Sequence, residues 1–239
     1  MRLIIIRHAE PDYEHNSLTE KGFKEAKILC DYLDNVKIDY LYVSPLGRAI
    51  KTIEPYIQKH NKKYEIIDWL QEFEYCKTLE DGTEIKAWDN QVIPFEEMEE
   101  NFDNSRCYQL EEMKITGITK HYDEIISKFD DLLKKHGYER EGHHYKVINE
   151  NHDTVVLVCH LGLQMVIVSH LINLPFRALG QHFGPVPSSI TTIYTEERKK
   201  GIAQFRIQSF GDVSHLVSSN EPLSFAGRFS ECYSDDTRK

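Results

Sequence analysis

Apolar runs alternate with segments of helical spacing in the first third of this chain. Leu3–Ile6 is an unbroken apolar run, typical of a strand buried on both faces of a parallel sheet. Apolar residues then recur with helical spacing from Ser17 to Asn35, where Ser17 or Thr19 can cap the start. The next segments predict a strand, a helix and a short strand over residues 38–45, 46–60 and 64–70. This β-α-β-α-β order predicts a parallel sheet with right-handed crossovers.

The same alternation resumes in the second half of the chain. Residues 118–136 have helical spacing, and Gly137 is a typical helix stop. A polar segment follows, for which we expect a loop or a hairpin. Thr154–Cys159 is a second fully apolar strand, and His160 and an apolar helix come directly after it. Two late strands joined by a turn are predicted over residues 188–196 and 202–210.

Between these halves the pattern breaks. Residues 73–113 are acidic, aromatic and irregular, and we interpret them as the main part of an insertion over one end of the sheet. The prediction is a single domain over residues 1–239, with an insertion or cap at approximately 73–150. The predicted fold class is α/β, a three-layer α/β/α arrangement with a mostly parallel sheet, helices on both faces and the acidic insertion at the C-terminal strand ends.

Charged side chains follow the predicted buried strands directly. Arg7 and His8 follow the first strand, Arg48 lies in the first turn of the helix after the second strand, and His160 follows the Thr154–Cys159 strand. Ligands of open α/β sheets bind beyond the carboxyl ends of the strands. If these strands are parallel neighbours, two arginines and two histidines converge there. Such a cluster suits an oxyanion, because guanidinium groups match phosphate oxygens bidentately. The arginines also disfavour protonation of a nearby histidine, which keeps its imidazole neutral.

Five segments resemble the motifs of one family. "LIIIRHAE" resembles the RHG motif of the histidine phosphatase superfamily, the phosphoglycerate mutase-like proteins. "SLTEKGFKEA", "LYVSPLGRAIKT", "VVLVCHLG" and "VPSSITTIY" are similar to later motifs of that family, in the same order. The resemblance covers roughly residues 1–72 and 150–195 and implies a phosphoglycerate mutase-like fold.

The resemblance also implies a role for each matching residue. His8 attacks phosphorus and becomes phosphorylated. Arg7, Arg48 and His160 hold the phosphoryl oxygens and stabilise the transition state. A carboxylic acid protonates the leaving alkoxide and then activates water. The family places this acid after the third strand, and "WLQEFEYC" puts Glu72 there.

Other acids lie close to the predicted general acid. Glu74 is the second candidate for the general acid, and Asp81 and Glu84 are less favoured ones. No cofactor and no metal is expected, because the arginines supply the electrostatic stabilisation. His143, His144 and His152 match no zinc spacing, so we interpret them as residues of a solvated loop.

The chain departs from the family pattern at three places. The motif glycine is Ala9, and Glu14 stands where the family often has an asparagine that touches phosphate. Nearby Asn16 is the candidate to replace that contact. The segment after His160 reads "HLG" instead of "HGN" or "HGG", so we expect backbone amides still to serve there and the side-chain contacts to differ.

Three functions remain open: a phosphatase, a phosphoglycerate mutase-type phosphotransferase, and a non-catalytic phosphate-binding module. From Glu72 to Glu112 there are thirteen acidic and three basic residues, which disfavours a second anionic group on the substrate. We therefore expect a small phosphomonoester whose remaining part is neutral, cationic or aromatic. The aromatic residues of the insertion form either an apolar wall for it or a small core, namely Tyr75, Trp88, Phe95, Phe102 and Tyr108.

Composition narrows the partners further. The net charge of −10 argues against general affinity for nucleic acid or an anionic membrane. No apolar run reaches the length of a transmembrane helix, and we expect no signal peptide. Five scattered cysteines without a paired spacing indicate a reduced, cytoplasmic protein. The sequence gives no indication of the oligomeric state.

Overall fold

An eight-stranded mixed sheet runs through the protein, whose computed structural model describes residues 1–74, 76–78, 84–86, 96–115 and 117–226. From one edge to the other, the strands are β5 (Glu65–Ile66), β4 (Tyr40–Val43), β10 (Thr154–Cys159), β1 (Arg2–Arg7), β11 (Ile190–Lys199), β12 (Ile202–Asp212), β9 (His144–Val147) and β8 (Tyr138–Glu141). The first four of these are mutually parallel. The other four pair antiparallel, starting with β11 against β1.

Strand β1 lies in the middle of the sheet and is buried on both faces. Leu3 and Ile5 pack into one hydrophobic cluster, and Ile4 and Ile6 into another on the opposite face. The alternation follows from the pleat of a strand, which points successive side chains to opposite faces. An unbroken apolar run was therefore the correct signal for this element.

Helices cover both faces of the sheet. The α-helices of the described residues are α1 (Glu20–Leu33), α2 (Gly47–His60), α3 (Glu111–Ile115), α4 (Ile118–Lys135), α5 (Leu161–Ile172), α6 (Phe176–His182) and α7 (Ser214–Ser218). Helices α1 and α2 pack on the Ile4 and Ile6 face, whereas α4 and α5 pack on the Leu3 and Ile5 face. The predicted three-layer α/β/α arrangement is confirmed. The sheet is mixed where a mostly parallel one was predicted, because the strands from β11 to β8 pair antiparallel.

Local signals set the helix ends where they were predicted. Of the two candidate caps of α1, Thr19 performs the role, and its hydroxyl accepts the N–H of Gly22 at 3.0 Å. Helix α4 gives way to Gly137, which has a φ of +93°. That left-handed conformation suits glycine and stops the helix.

The third predicted strand is only partly a strand. Residues Glu65–Ile66 form β5, but Asp68–Leu70 form a 3₁₀ helix, so the prediction over 64–70 was too long. The chain leaves the sheet early here because Trp69 and Leu70 turn inward and pack in the cluster of the Leu3 and Ile5 face.

The described part of the insertion consists of short elements. These are the hairpin strands β6 (Cys76–Thr78) and β7 (Glu84–Lys86), two 3₁₀ helices and α3. Tyr108 belongs to a packed core, where it lies against Tyr122 and Phe176 with ring centroids 4.6 and 5.9 Å away. Phe102 is exposed. The other residues proposed for an apolar wall, and one candidate acid, lie outside the described residues, namely Tyr75, Asp81, Trp88 and Phe95.

The predicted insertion range 73–150 also contains elements of the main body. The polar segment after α4 forms the β8–β9 hairpin, and β9 pairs with β12 at the edge of the eight-stranded sheet. The division into one domain with an insertion stays a prediction. None of the helices in the described ranges is long and apolar enough to cross a membrane.

Helix α2 approaches the loop between β2 (Pro11–Asp12) and β3 (Ser17–Leu18) too closely to admit a side chain at its first residue. A Cβ on Gly47 would lie 2.1 Å from the carbonyl oxygen of Asn16. We therefore expect Gly47→Ala to lower the free energy of unfolding by about 1–3 kcal/mol, because the backbone has to move to relieve the overlap. Urea unfolding measures this loss.

The matched control for this prediction is Gln58→Ala, at an exposed position of the same helix. Its unfolding free energy should stay within about 0.5 kcal/mol of the wild-type value. Equal stability of Gly47→Ala and the wild-type protein would contradict the close approach.

Candidate active site

Strand register brings two histidines together at the C-terminal edge of the sheet. Arg7 of β1 stands opposite Cys159 of β10, and each strand is followed directly by a histidine. The ring centroids of His8 and His160 lie 5.1 Å apart. Both imidazoles are buried. The convergence that the sequence predicted therefore occurs.

The ring of His8 is held in one tautomer. Its Nδ1 lies 2.8 Å from the carbonyl oxygen of Ala9, to which a protonated Nδ1 donates. The other ring nitrogen, Nε2, then carries a lone pair. Burial, reinforced by the charge of Arg7, lowers the pKa of His8 to about 3. At neutral pH this side chain is therefore an uncharged imidazole with an available lone pair in a positively charged environment.

His160 is oriented by a serine at the end of a third parallel strand. Strand β4 ends at Val43, and the hydroxyl of Ser44 lies 2.7 Å from Nε2 of His160. Among the described residues, the other ring nitrogen, Nδ1, is buried without a hydrogen-bond partner. Burial and the nearby charge of the site hold the pKa of His160 well below its usual value. A polar group on the substrate can satisfy that free nitrogen.

Two buried arginines flank the histidines. The guanidinium of Arg7 donates from Nη1 to the carbonyl oxygen of Pro185 at 2.6 Å. Arg48 is the second residue of α2, and the carbonyl oxygen of Arg48 accepts the Thr52 hydroxyl proton one turn later at 2.7 Å. Thr52 in turn accepts the N–H of Ala9 at 2.9 Å, which ties the helix to the end of β1. Within the described ranges the Nε atoms of both arginines are buried without a hydrogen-bond partner.

Glu72 is the carboxylic acid that faces this cluster. Its Oε1 accepts the N–H groups of Phe73 at 2.9 Å and of Leu163 at 3.2 Å, in the first turn of α5. Burial raises the pKa of Glu72, and the charges of Arg7 and Arg48 oppose that effect. A carboxyl group with a raised pKa in this position can carry a proton at mild pH.

Glu74 is placed differently from Glu72. Its carboxylate is 68% exposed and lies 3.8 Å from Nη2 of Arg48. Tyr13, also exposed, covers the same guanidinium, whose carbon lies 5.3 Å from the ring centroid. Glu74 and Tyr13 therefore border the site from the solvent side, whereas the Glu72 carboxyl faces the buried cluster.

Asn16 lies beside the start of α2 but is exposed. Its backbone is left-handed, with a φ of +45°. Glu14, at the position where the family often has an asparagine, is exposed too. A contact of Asn16 with substrate therefore stays a prediction.

Two supporting residues and one loop were missed by the sequence reasoning. Ser44 orients His160, and Thr52 holds the end of β1. Both lie inside the segment "SPLGRAIKT", which also contains Arg48. The loop 185–189 holds Arg7 and His8 through its backbone. Because its contacts are made by backbone atoms, no residue-type pattern indicates this role in advance.

The assembled site can bind and attack a phosphoryl group. It joins an uncharged imidazole with a free Nε2, two guanidiniums, a second imidazole and a carboxyl group of raised pKa. This is the donor set that stabilises the spread negative charge of phosphoryl transfer. In the part of the chain that the structure describes, no group of three or more His, Cys, Asp or Glu side chains is arranged to hold a metal ion.

Several solved structures share this fold. A mutant of phosphoserine phosphatase from Entamoeba histolytica, in complex with phosphoserine, matches with a TM-score of 0.56 and 19% identity, covering 90% of this chain and 98% of that one. A mycobacterial glucosyl-3-phosphoglycerate phosphatase in complex with VO3 matches with a TM-score of 0.55 and 17% identity, over 88% and 98% of the two chains. The α-ribazole phosphatase of Shigella flexneri matches with a TM-score of 0.53 and 17% identity, over 88% and 97%.

Sequence comparisons give the family. No curated protein sequence matches this chain significantly. The family model described as "Histidine phosphatase superfamily (branch 1)" matches residues 3–208, which include both histidines, both arginines and Glu72. With that match added to the paired histidines and their arginines, the chain belongs to branch 1 of the histidine phosphatase superfamily.

Proposed function

We propose that this protein is a metal-independent phosphomonoester hydrolase that acts through a phosphohistidine intermediate on His8. The observation that carries the proposal is the state of His8 itself. Its ring is buried 5.1 Å from His160, and its Nδ1 proton is engaged by Ala9, so the lone pair of Nε2 is available for attack. The arginines on either side favour an anionic phosphoryl group at that atom.

The first step transfers the phosphoryl group to the enzyme. Nε2 of His8 forms a bond to phosphorus while the bond from phosphorus to the ester oxygen breaks. Glu72 gives its proton to the departing oxygen, and Arg7, Arg48 and His160 stabilise the charge on the remaining phosphoryl oxygens. The raised pKa of Glu72 supports this role, because a donor has to be protonated when the leaving group departs.

The second step returns the enzyme to its starting state. The Glu72 carboxylate accepts a proton from water, whose oxygen forms a bond to phosphorus as the bond to Nε2 of His8 breaks. Inorganic phosphate leaves, and Glu72 is protonated again for the next cycle. The two backbone N–H groups that bind Oε1 keep the carboxyl in place in both steps.

The substrate we propose is a small phosphomonoester without a second strongly anionic group. The segment 72–112 carries thirteen acidic and three basic residues, and the described rim presents the Glu74 carboxylate to an incoming ligand. A negative rim lowers the local concentration of multiply charged anions, which disfavours phosphoglycerate mutase chemistry. The similar structures include a phosphoserine phosphatase in complex with phosphoserine and an α-ribazole phosphatase, which supports a small-molecule substrate.

We place the enzyme in the cytoplasm. Cys30, Cys107 and Cys159 are buried thiols that form no disulfide among the described residues. Reduced thiols are the normal state of cysteine in that compartment.

The purified protein is expected to hydrolyse p-nitrophenyl phosphate in the presence of EDTA. His8→Ala should lower kcat by at least about 10⁴-fold, because no other group at the site can form the covalent intermediate. The release of p-nitrophenol measures both results. Wild-type protein without activity, or a His8→Ala variant with unchanged activity, would refute the proposed function.

The protonation state of His8 is accessible to NMR spectroscopy. The pKa of about 3 predicts that its imidazole stays uncharged as the pH falls from 8 to 5, because burial and Arg7 disfavour the cation. Spectra of ¹⁵N-histidine-labelled protein, with the His8 signals assigned by their loss in His8→Ala, check this. A titration midpoint near the ordinary histidine value of about 6.5 would contradict it.

Glu72 and Glu74 can be distinguished by how the effect of substituting each one depends on the leaving group. Glu72→Gln should lower kcat for an alkyl phosphate by about 10²–10⁴-fold and for p-nitrophenyl phosphate much less, because nitrophenolate departs without a proton. In the wild-type protein, turnover of the alkyl phosphate should fall as the pH rises through the raised pKa of Glu72, where the donor loses its proton.

Glu74→Gln is the matched control for this assignment, since it removes the same charge two residues away. We expect its kcat for both substrates to stay within about fivefold of wild type. A larger leaving-group dependence in Glu74→Gln than in Glu72→Gln would reverse the assignment.

A further inference from the structure

The loop between α6 and β11 holds the Arg7–His8 pair from behind. The carbonyl oxygens of Pro185 and Ser189 accept the Arg7 Nη1 and backbone N–H protons, at 2.6 and 3.0 Å. The backbone N–H of Ser188 donates to the carbonyl oxygen of His8 at 3.0 Å. Three hydrogen bonds from this loop, residues 185–189, therefore set the position of the nucleophile and of its neighbouring arginine.

Ser188 adopts a backbone conformation that its residue type does not favour. Its φ is +63°, in the left-handed region where a Cβ is unfavourable. Glycine and aspartate adopt this conformation more readily than serine does, so at Ser188 it has to be held by the surroundings. The side chain is fully buried, and its hydroxyl lies 3.2 Å from Nε2 of His215.

His215 is itself fixed in a buried position. It lies on α7, whose first residue, Ser214, donates its backbone N–H to the side chain of Asp212 at the end of β12, at 2.8 Å. The ring of Tyr32, at the end of α1, covers the imidazole at a centroid distance of 5.6 Å. Only 3% of His215 is exposed, and burial lowers its pKa to about 4. The uncharged ring is therefore a fixed hydrogen-bonding partner for Ser188.

We propose that His215 is a positioning residue for the nucleophile, which acts through Ser188 and never touches the substrate. The chain of contacts runs from the His215 imidazole to the Ser188 hydroxyl, and from the Ser188 N–H to the His8 carbonyl oxygen. The inference rests on the proposed function, because the effect it gives to these contacts is the alignment of Nε2 of His8 with phosphorus. A displacement of about 1 Å at a reacting atom costs about 10²-fold in rate.

A double-mutant cycle tests this chain of contacts. His215→Ala and Ser188→Ala are each expected to lower kcat for p-nitrophenyl phosphate by about 10–100-fold. The double variant should lose no more of its kcat than either single variant, because both substitutions interrupt the same series of contacts. His215→Gln, whose amide can reach the Ser188 hydroxyl, should recover kcat to within about fivefold of wild type.

Each rate is measured under conditions in which urea unfolding shows the variant to be folded. A merely structural His215 would lower stability but leave kcat of the folded protein unchanged. Val217→Ala, an exposed position of the same helix, is the matched control and should keep kcat within about twofold. A His215→Ala variant within twofold of wild type, or single losses that multiply in the double variant, would overturn the proposal.

A second measurement decides the proposal independently of activity. The Nδ1 proton of His8 is shielded by its bond to Ala9, so it should give a resolved imidazole N–H resonance, assigned by its loss in His8→Ala. His215→Ala and Ser188→Ala should shift or broaden this resonance alike, and Val217→Ala should not. An unshifted resonance in His215→Ala overturns the positioning role. Wild-type protein without phosphatase activity would refute the proposed function, while this resonance would still report whether His215 positions His8.

Discussion

The register between β1 and β10 is the constraint on which the site depends. Parallel pairing with Arg7 opposite Cys159 puts the next residue of each strand, a histidine, at the same level of the sheet edge. A shift by one residue would exchange the faces of every side chain in a strand that is buried on both sides. Because Arg2 and Arg7 bound the apolar run Leu3–Ile6, such a shift would also carry a charged side chain toward the buried part of the sheet. The register is therefore specified, and it places His8 beside His160.

The site concentrates positive charge in a protein whose net charge is negative. Arg7 and Arg48 are almost fully buried, and each lacks a partner for Nε among the described residues. Two nearby cations that are removed from water are stabilised by an anion. The Glu74 carboxylate lies at the rim of the site, 3.8 Å from Nη2 of Arg48. The arrangement suits the phosphoryl group of the proposed substrate.

Orientation of the reacting groups comes from a layer of polar contacts behind them. Ser44 holds His160, Thr52 joins α2 to the end of β1, and the loop 185–189 holds Arg7 and His8. These contacts are buried, where an unmade hydrogen bond is costly, so each one has a strong preference for one geometry. The left-handed backbone of Ser188 shows that the fold tolerates local strain at this place.

Sequence by itself determined the main elements and the candidate site residues. Periodicity identified β1, β10, α1 and α4, because burial on one or both faces imposes a local pattern that needs no knowledge of partners. It also located His8, Arg48 and His160 at the ends of such elements. The length of β5 was overestimated from the sequence, since the inward turn of Trp69 and Leu70 depends on a core formed elsewhere in the chain. Only the tertiary structure decided which strands are neighbours, how deeply Glu72 is buried and that His215 reaches Ser188. Those properties arise from contacts between residues far apart in sequence, such as β1 with β10 and α7 with the loop 185–189, which no local pattern encodes.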